Sequence, residues 1–250
     1  MRMRSGIIAV LTCFIYMFSS TLALAEAETK VLLAAEDSWP PFADRTGQGL
    51  SHQLITAAFS IEHIQVESLV VPYSRALMMA RKGQVQGVFN VTRERSTEPD
   101  FLFGEEPLFV ANASFYYNRN RPLNAQNKWQ LPKGSVVGII KGYEYGDEFA
   151  KLSQQLQLVP VASQEQLLNL LLLNRIDAAI MFDKVAEGFI TRMGVEEEIL
   201  PAFSNHQSRI FLAFSLQNAS SPKLAKALDE GLRQMKQSGQ YQQIISSSRL

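Results

Sequence analysis

The chain has 250 residues, with 24 Lys and Arg against 24 Asp and Glu, so its formal net charge is zero. That balance gives no support for nucleic-acid binding, and a single cysteine, Cys13, rules out an internal disulfide framework. Hydrophobic residues make up 46% of the chain, enough for sizeable cores in one large domain or two of ordinary size.

The first element is a leader rather than a fold element. Met1-Arg2-Met3-Arg4 is basic, Gly6 to Phe18 is apolar, and Ala23-Leu24-Ala25 has the small-x-small pattern cut by signal peptidase. Residues 1–25 are therefore expected to be a cleaved secretory signal, with an uncleaved anchor as the alternative, and cleavage leaves 250 − 25 = 225 residues. Arg2 and Arg4 leave with it, so the mature balance is 24 − 2 = 22 basic against 24 acidic groups, net −2. Cys13 leaves too, and a cysteine-free mature chain suits a bacterial periplasm. No later stretch approaches the roughly 20 apolar residues of a membrane span.

Lys30 to Ala35 reads as a short buried strand, ended by Glu36-Asp37-Ser38-Trp39-Pro40-Pro41-Phe42, where paired prolines forbid helix. After the Thr46-Gly47-Gln48-Gly49 turn, Leu50 to Ile61 reads as a helix with Leu54, Ile55, Ala58 and Phe59 on one side. Val66 to Val71 is a second strand. Tyr73 to Lys82 is a helix with Ser74 as candidate cap and Gly83 as stop. Val85 to Val91 follows as a strand.

A hundred residues on, the device returns. Glu165 to Asn174 is helical and Ile176 to Phe182 is the strand after it, so KGQVQGVFNVT and LNRIDAAIMFD form a weak internal repeat. Between them, Ser135 to Ile140 is a strand running into Lys141-Gly142-Tyr143-Glu144-Tyr145-Gly146, with a helix from about Asp147. The chain ends in a helix opened by Ser221-Pro222, with Leu224, Leu228, Leu232 and Met235 at helical spacing and Gly239 as its stop. A short helix around Tyr241 to Ile245 follows. Alternating strands and helices imply α/β class with parallel sheet, and two such sets suggest two lobes.

In open α/β sheets, ligands bind beyond the carboxyl ends of strands. That rule gathers Glu36, Trp39, Tyr73, Asn90, Thr92, Arg95, the Lys141-Gly142-Tyr143 loop and Asp183. A guanidinium takes a carboxylate through two hydrogen bonds, a carboxylate takes an ammonium, and aromatic faces exclude water. A zwitterion suits the set. Each residue also has a plain structural reading: Trp39 as a packing aromatic, Asp183 as a helix cap, and Arg93 and Arg95 as surface partners of Glu94, Glu98 and Asp100.

Taken together, EDSWPPF, GQVQGVFNVTRER with PDFLFGEEPLF, LPKGSVVGIIKGYEYGDEF, NRIDAAIMFD and LDEGLRQMKQSGQYQQI resemble the family 3 extracellular solute-binding proteins, the periplasmic receptors of polar amino-acid ABC transporters. The resemblance covers nearly all of the mature chain. It implies a two-lobed periplasmic-binding-protein-like α/β fold of type II, with two mixed sheets flanked by helices and joined by two hinge strands. The first lobe would comprise residues 26–108 and 209–250, and the second 109–208, with crossings near Glu106–Val110 and Asn205–Arg209. It implies that Thr92 and Arg95 grip the ligand α-carboxylate, with Asn90 contributing and Arg93 left at the surface. Asp183 would receive the α-ammonium, Trp39 and Tyr73 would be the lining aromatics, Glu36 the early acidic position, and Gly142 and Tyr143 the loop whose backbone meets the carboxylate. The chain departs from the family pattern where Ser51-His52-Gln53 carries no acid and where Gln86 stands in place of an aspartate.

The function expected on this resemblance is capture of an amino acid or related zwitterion by lobe closure and delivery to ABC transporter membrane subunits, by a monomer without metal, cofactor or catalysis. Two alternatives share the scaffold. One is a sensory partner of a membrane receptor, and the other is a dehydratase-like enzyme using Glu36, Glu144 or Asp183 as general acid.

Overall fold

The computed structural model describes residues 29–247, and the expected signal segment lies outside the described residues. In chain order the elements are β1 (Thr29–Glu36), β2 (Ser38–Trp39), β3 (Ala43–Asp44), α1 (Leu50–Ile61), β4 (Ile64–Val71), α2 (Tyr73–Arg81), β5 (Gly87–Thr92), β6 (Phe101–Phe103) and β7 (Phe109–Asn118). They continue with β8 (Val136–Ile140), α3 (Phe149–Leu152), β9 (Gln157–Val161), α4 (Gln164–Leu172), β10 (Ala178–Phe182), α5 (Asp183–Met193), β11 (Ile199–Ser215), α6 (Ser221–Ser238) and α7 (Gln240–Ser247).

The large sheet runs β4-β1-β5-β11-β7-β10-β8-β9, with β6 beside β11. Its two ends mirror each other. β4-β1-β5 is parallel and closed by antiparallel β11, while β9-β8-β10 is parallel and closed by antiparallel β7. The two expected sheets are thus joined into one hydrogen-bonded path where β7 pairs with the 17-residue β11.

The internal repeat is explicit in the hydrogen bonds. Gln86 N–H donates to Leu32 O at 2.9 Å, and Leu32 N–H donates back to Gln86 Oε1 at 2.9 Å. Asp177 N–H donates to Val136 O at 2.7 Å, and Val136 N–H returns to Asp177 Oδ2 at 2.8 Å. Each side chain satisfies a strand-edge amide that the ladder leaves open. Gln86 supplies a carbonyl oxygen where its counterpart supplies a carboxylate, so the missing acid costs the scaffold no acceptor.

The amphipathic helices bury the faces that their spacing defines. Leu54, Ile55, Ala58 and Phe59 of α1 are fully buried, and burying a large apolar side chain contributes about 1.5–3 kcal/mol. α6 buries Leu224, Leu228, Leu232 and Met235. Its Gly231 lies directly on the backbone of Ala58, where any Cβ would collide with the carbonyl. Gly239 (φ 82°) ends α6 in the left-handed conformation. Asp229 accepts from the Glu105 and Glu106 amides, both at 2.9 Å, and Tyr241 OH donates to Leu108 O at 2.8 Å. These bonds fasten the last two helices to the segment entering β7.

Several boundaries shift by one or two residues from expectation, and two of the differences have a local cause. Pro72, not Ser74, precedes α2, and no side chain caps that helix, because proline sets the entry dihedral itself. The helix expected from about Asp147 begins at Phe149, since Gly146 (φ 88°) donates its N–H to Glu94 and the Asp147 side chain accepts from the Arg95 amide.

Candidate functional site

The C-terminal end of β1 and the start of α2 face the loop after β8, and the two sides exchange hydrogen bonds. Tyr73 OH donates to Glu144 Oε2 at 2.8 Å. Reciprocally, Tyr143 OH donates to Glu36 Oε1 in a short contact. The two phenol rings meet edge to face with centroids 5.2 Å apart. Below this quartet, Gly146 N–H donates to Glu94 Oε2 at 3.0 Å and Arg95 N–H to Asp147 Oδ1 at 2.9 Å. Gly142 (φ 89°) lets the loop turn beside Ser74, whose Cβ lies 3.3 Å from where a side chain on Gly142 would begin.

Two cavities flank the quartet and share Ser74 and Tyr143 in their walls. The smaller, about 120 Å³, is lined by Glu36, Asp37, Tyr73, Lys141 and Gln164 among others. The larger, about 690 Å³, is lined by Arg81, Glu94, Arg95, Glu144 and Asp147 among others.

Burial dominates the electrostatics. Glu36 is 2% exposed. Loss of water, with the nearby Glu144 and Asp37 charges, raises its pKa to about 8 against the opposing effect of the Tyr143 hydroxyl. Half-buried Glu144 is raised the same way to about 8, by desolvation first and by Glu94, with Tyr73 and Arg81 opposing. Tyr73 and Tyr143 are pushed well above the ordinary phenol value by burial and by the carboxylates they face. At neutral pH both carboxyls are therefore mostly protonated and both phenols neutral.

The structure brings together Glu36, Tyr73, Gly142 and Tyr143, and places Arg95 on the larger cavity. Arg95 has an 87% exposed side chain whose Nε lies 3.9 Å from Asp147. Thr92 is buried and lines a third cavity of about 260 Å³ with Arg93, Lys128 and His206. Asn90 sits at φ 61°, its Oδ1 accepting from Ser51 Oγ at 2.5 Å and its Nδ2 without a partner among the described residues. Trp39 packs among Phe42, Phe109 and Phe182. Asp183 opens α5 and accepts from Tyr116 OH at 3.2 Å. Neither Trp39 nor Asp183 lines the two cavities beside the quartet.

Residues that the strand-end rule did not gather also belong here. Glu144 and Glu94 supply carboxyls, and Gln164 is buried with Oε1 unpartnered among the described residues. An acid between two tyrosines in KGYEYG was the available signal for Glu144. Gln164 was hidden because it also serves as the first residue of α4, whose Ser163 cap accepts from Gln166 N–H at 3.3 Å.

The sequence profile of the bacterial extracellular solute-binding proteins, family 3, matches residues 31–247, and the chain belongs to that family. No curated protein matches it in sequence. Solved structures share the fold at low identity. An amino acid ABC transporter substrate-binding protein from Streptococcus pneumoniae, bound to L-arginine, is 20% identical with TM-score 0.72, over 87% of this chain and 93% of its own. A histidine kinase sensor domain with similarity to periplasmic binding proteins is 18% identical with TM-score 0.75, over 87% and 95%. An ancestral amino-acid-binding protein, a precursor of cyclohexadienyl dehydratase, is 14% identical with TM-score 0.71, over 87% of this chain and 94% of its own.

Proposed function

We propose that this chain captures a small polar ligand, an amino acid or related zwitterion, between two lobes and hands it to the membrane subunits of an ABC transporter. In this reading, residues 26–108 with 209–250 form one lobe and 109–208 the other. They meet where Phe109 and Val110 pair with Ile210 and Arg209. The observation that carries the reading is the reciprocal pair of hydrogen bonds, Tyr73 to Glu144 and Tyr143 to Glu36, beside two cavities. Side chains from distant parts of the chain meet only when the walls are together. A ligand touching both walls gains its contacts in that state alone and shifts the population toward it.

Arg95 is the proposed carboxylate clamp. It is exposed at the larger cavity and its neighbour Asp147 stands on the opposite wall. Family membership supports an extracellular setting, and the signal-like sequence pattern of residues 1–25 supports export to the periplasm.

The test is a melting-temperature panel of amino acids on ligand-stripped protein. A ligand at a hundred times its dissociation constant adds about 2.7 kcal/mol. The shift is expected with at least one amino acid and is expected to vanish in Arg95→Ala. A flat panel on cooperatively melting protein overturns the reading. Recovery of the bound compound chemically unchanged separates binding from dehydratase-like turnover, and co-purification with transporter subunits rather than a receptor separates transport from sensing.

A further inference from the structure

We infer that the cleft reads its ligand chiefly through a cationic nitrogen, with Glu36 and Glu144 together accepting the N–H groups of an amine or guanidinium, so that an amine without any carboxylate suffices. The inference rests on the reading that the two cavities hold the ligand, and it narrows the class of that ligand.

The side chains sort by charge and depth. Acceptors lie inside. Glu36 is 2% exposed, Gln164 is 2% exposed with Oε1 unpartnered among the described residues, and Glu144 is half-buried between the cavities. Bases lie outside or are engaged. Lys141 is exposed at the rim of the smaller cavity. Arg81 is bound to Asp100 at 2.8 Å and lies over the Phe101 ring. The Arg95 side chain is 87% exposed. No side-chain cation among the described residues forms an ion pair with Glu36 or Glu144, and the present partners of both are phenols, which are neutral donors.

A buried carboxyl with no cation beside it ionises when a donor that carries charge arrives, and the Gln164 side chain in the same cavity wall has an acceptor without a partner among the described residues. An ammonium has three N–H donors and no acceptor. Glu36 and Gln164 line the same cavity, so one ammonium there takes the place of the Tyr143 hydroxyl on Glu36 and has N–H groups left for the Gln164 side chain. The starts of α2 and α4 border the same cavity at Tyr73 and Gln164, and their field favours the ionised form of Glu36 once a cation arrives. The smaller cavity admits the nitrogen and a few carbons, and Glu144 lies on the neighbouring larger one. A short aliphatic diamine is the simplest molecule with a donor group for each carboxylate.

Protons follow from the same geometry. Without ligand the two carboxyls, raised to about 8, hold protons at pH 7. A protonated amine ionises both, so binding releases up to two protons to the buffer. A purely structural role for Glu36 and Glu144 moves no protons on binding.

The experiment is calorimetric titration of ligand-stripped protein with 1,4-diaminobutane, arginine, glutamine and glutamate, in two buffers of different ionisation heat at pH 7. The expected result is binding of 1,4-diaminobutane with proton release, weakened at least tenfold in Glu36→Gln and in Glu144→Gln. Both Gln variants keep the shape of the protonated acids, and their cooperative melting without ligand verifies the fold. Binding of glutamine or glutamate with none of 1,4-diaminobutane overturns the inference and leaves the proposed function standing. Binding of 1,4-diaminobutane unaffected by either Gln variant overturns it too. No binding of any probe to a cooperatively melting protein overturns the inference, and the full amino-acid melting panel then decides the proposed function.

Discussion

The Tyr73 hydroxyl stands 2.8 Å from a carboxylate oxygen of Glu144, 71 residues further along the chain. Its mirror, Tyr143 to Glu36, spans 107 residues in the opposite sense. Each wall of the cleft thus offers one phenol and one carboxyl to the other, and the contact is self-complementary without any charge crossing it.

That arrangement makes stability depend on pH. Glu36 and Glu144 have an ordinary value of 4.5 and are raised to about 8. The folded protein therefore binds protons that the unfolded chain has released, so the stabilisation is complete below about 4.5 and is lost as pH rises through about 8. His206 works in the opposite sense. Burial and Lys128 lower it from 6.5 to about 4, so its contribution is present above 6.5 and lost as pH falls. Melting scans from pH 5 to 9 should show wild type losing several degrees relative to Glu36→Gln/Glu144→Gln, in which only the opposing His206 contribution remains, so that the variant gains stability up to about pH 6.5 and is nearly flat above it. Parallel curves for the two proteins contradict this account of the quartet.

Gly231→Ala should destabilise the protein by about 1–3 kcal/mol, the usual cost of forcing a methyl into a filled core. The new Cβ would meet the Ala58 carbonyl, and α1 and α6 must separate to admit it. Denaturant unfolding measures the loss. A neutral result means that the two helices are packed less closely than described.

Asp229→Ala should cost about 3 kcal/mol, because two backbone amides lose a charged acceptor in a largely buried place. Hydrogen exchange at Glu105 and Glu106 should quicken in the variant. Unchanged exchange there means that the carboxylate is not their acceptor.

Gln86→Asp should leave stability within about 0.5 kcal/mol, whereas Gln86→Ala should lose about 1–3 kcal/mol by orphaning the Leu32 amide. The equivalence of Gln86 and Asp177 motivates the contrast. Equal losses in both variants, measured by denaturant unfolding, contradict the shared role.

Much of this fold is visible in local pattern. Leu50–Ile61 is a helix at the bounds its apolar spacing marks, and the repeat of KGQVQGVFNVT in LNRIDAAIMFD is a true structural repeat, down to Gln86 and Asp177. Local pattern also finds the strand ends that carry Glu36, Tyr73 and Tyr143. It does not show which of these touch, because Tyr143 and Glu36 are brought together by the path of β7 and β11 rather than by any spacing. Nor does it separate a residue beside a cavity from one within the core. Trp39 satisfies the pattern of a lining aromatic and lies 2% exposed among phenylalanines, because Phe42, Phe109 and Phe182 converge on it from three separate segments.

Ser74 offers the most direct test of where the ligand sits. It is exposed, it belongs to the walls of both cavities, and it faces Gly142 on the opposite side. The measurement is the affinity of the ligand giving the largest melting shift, for wild type and for Ser74→Trp. The indole would fill the cleft without touching the cores, so the unliganded melting temperature should hold while affinity falls at least a hundredfold. Affinity within about twofold of wild type would place the ligand elsewhere and contradict the cleft as the binding site.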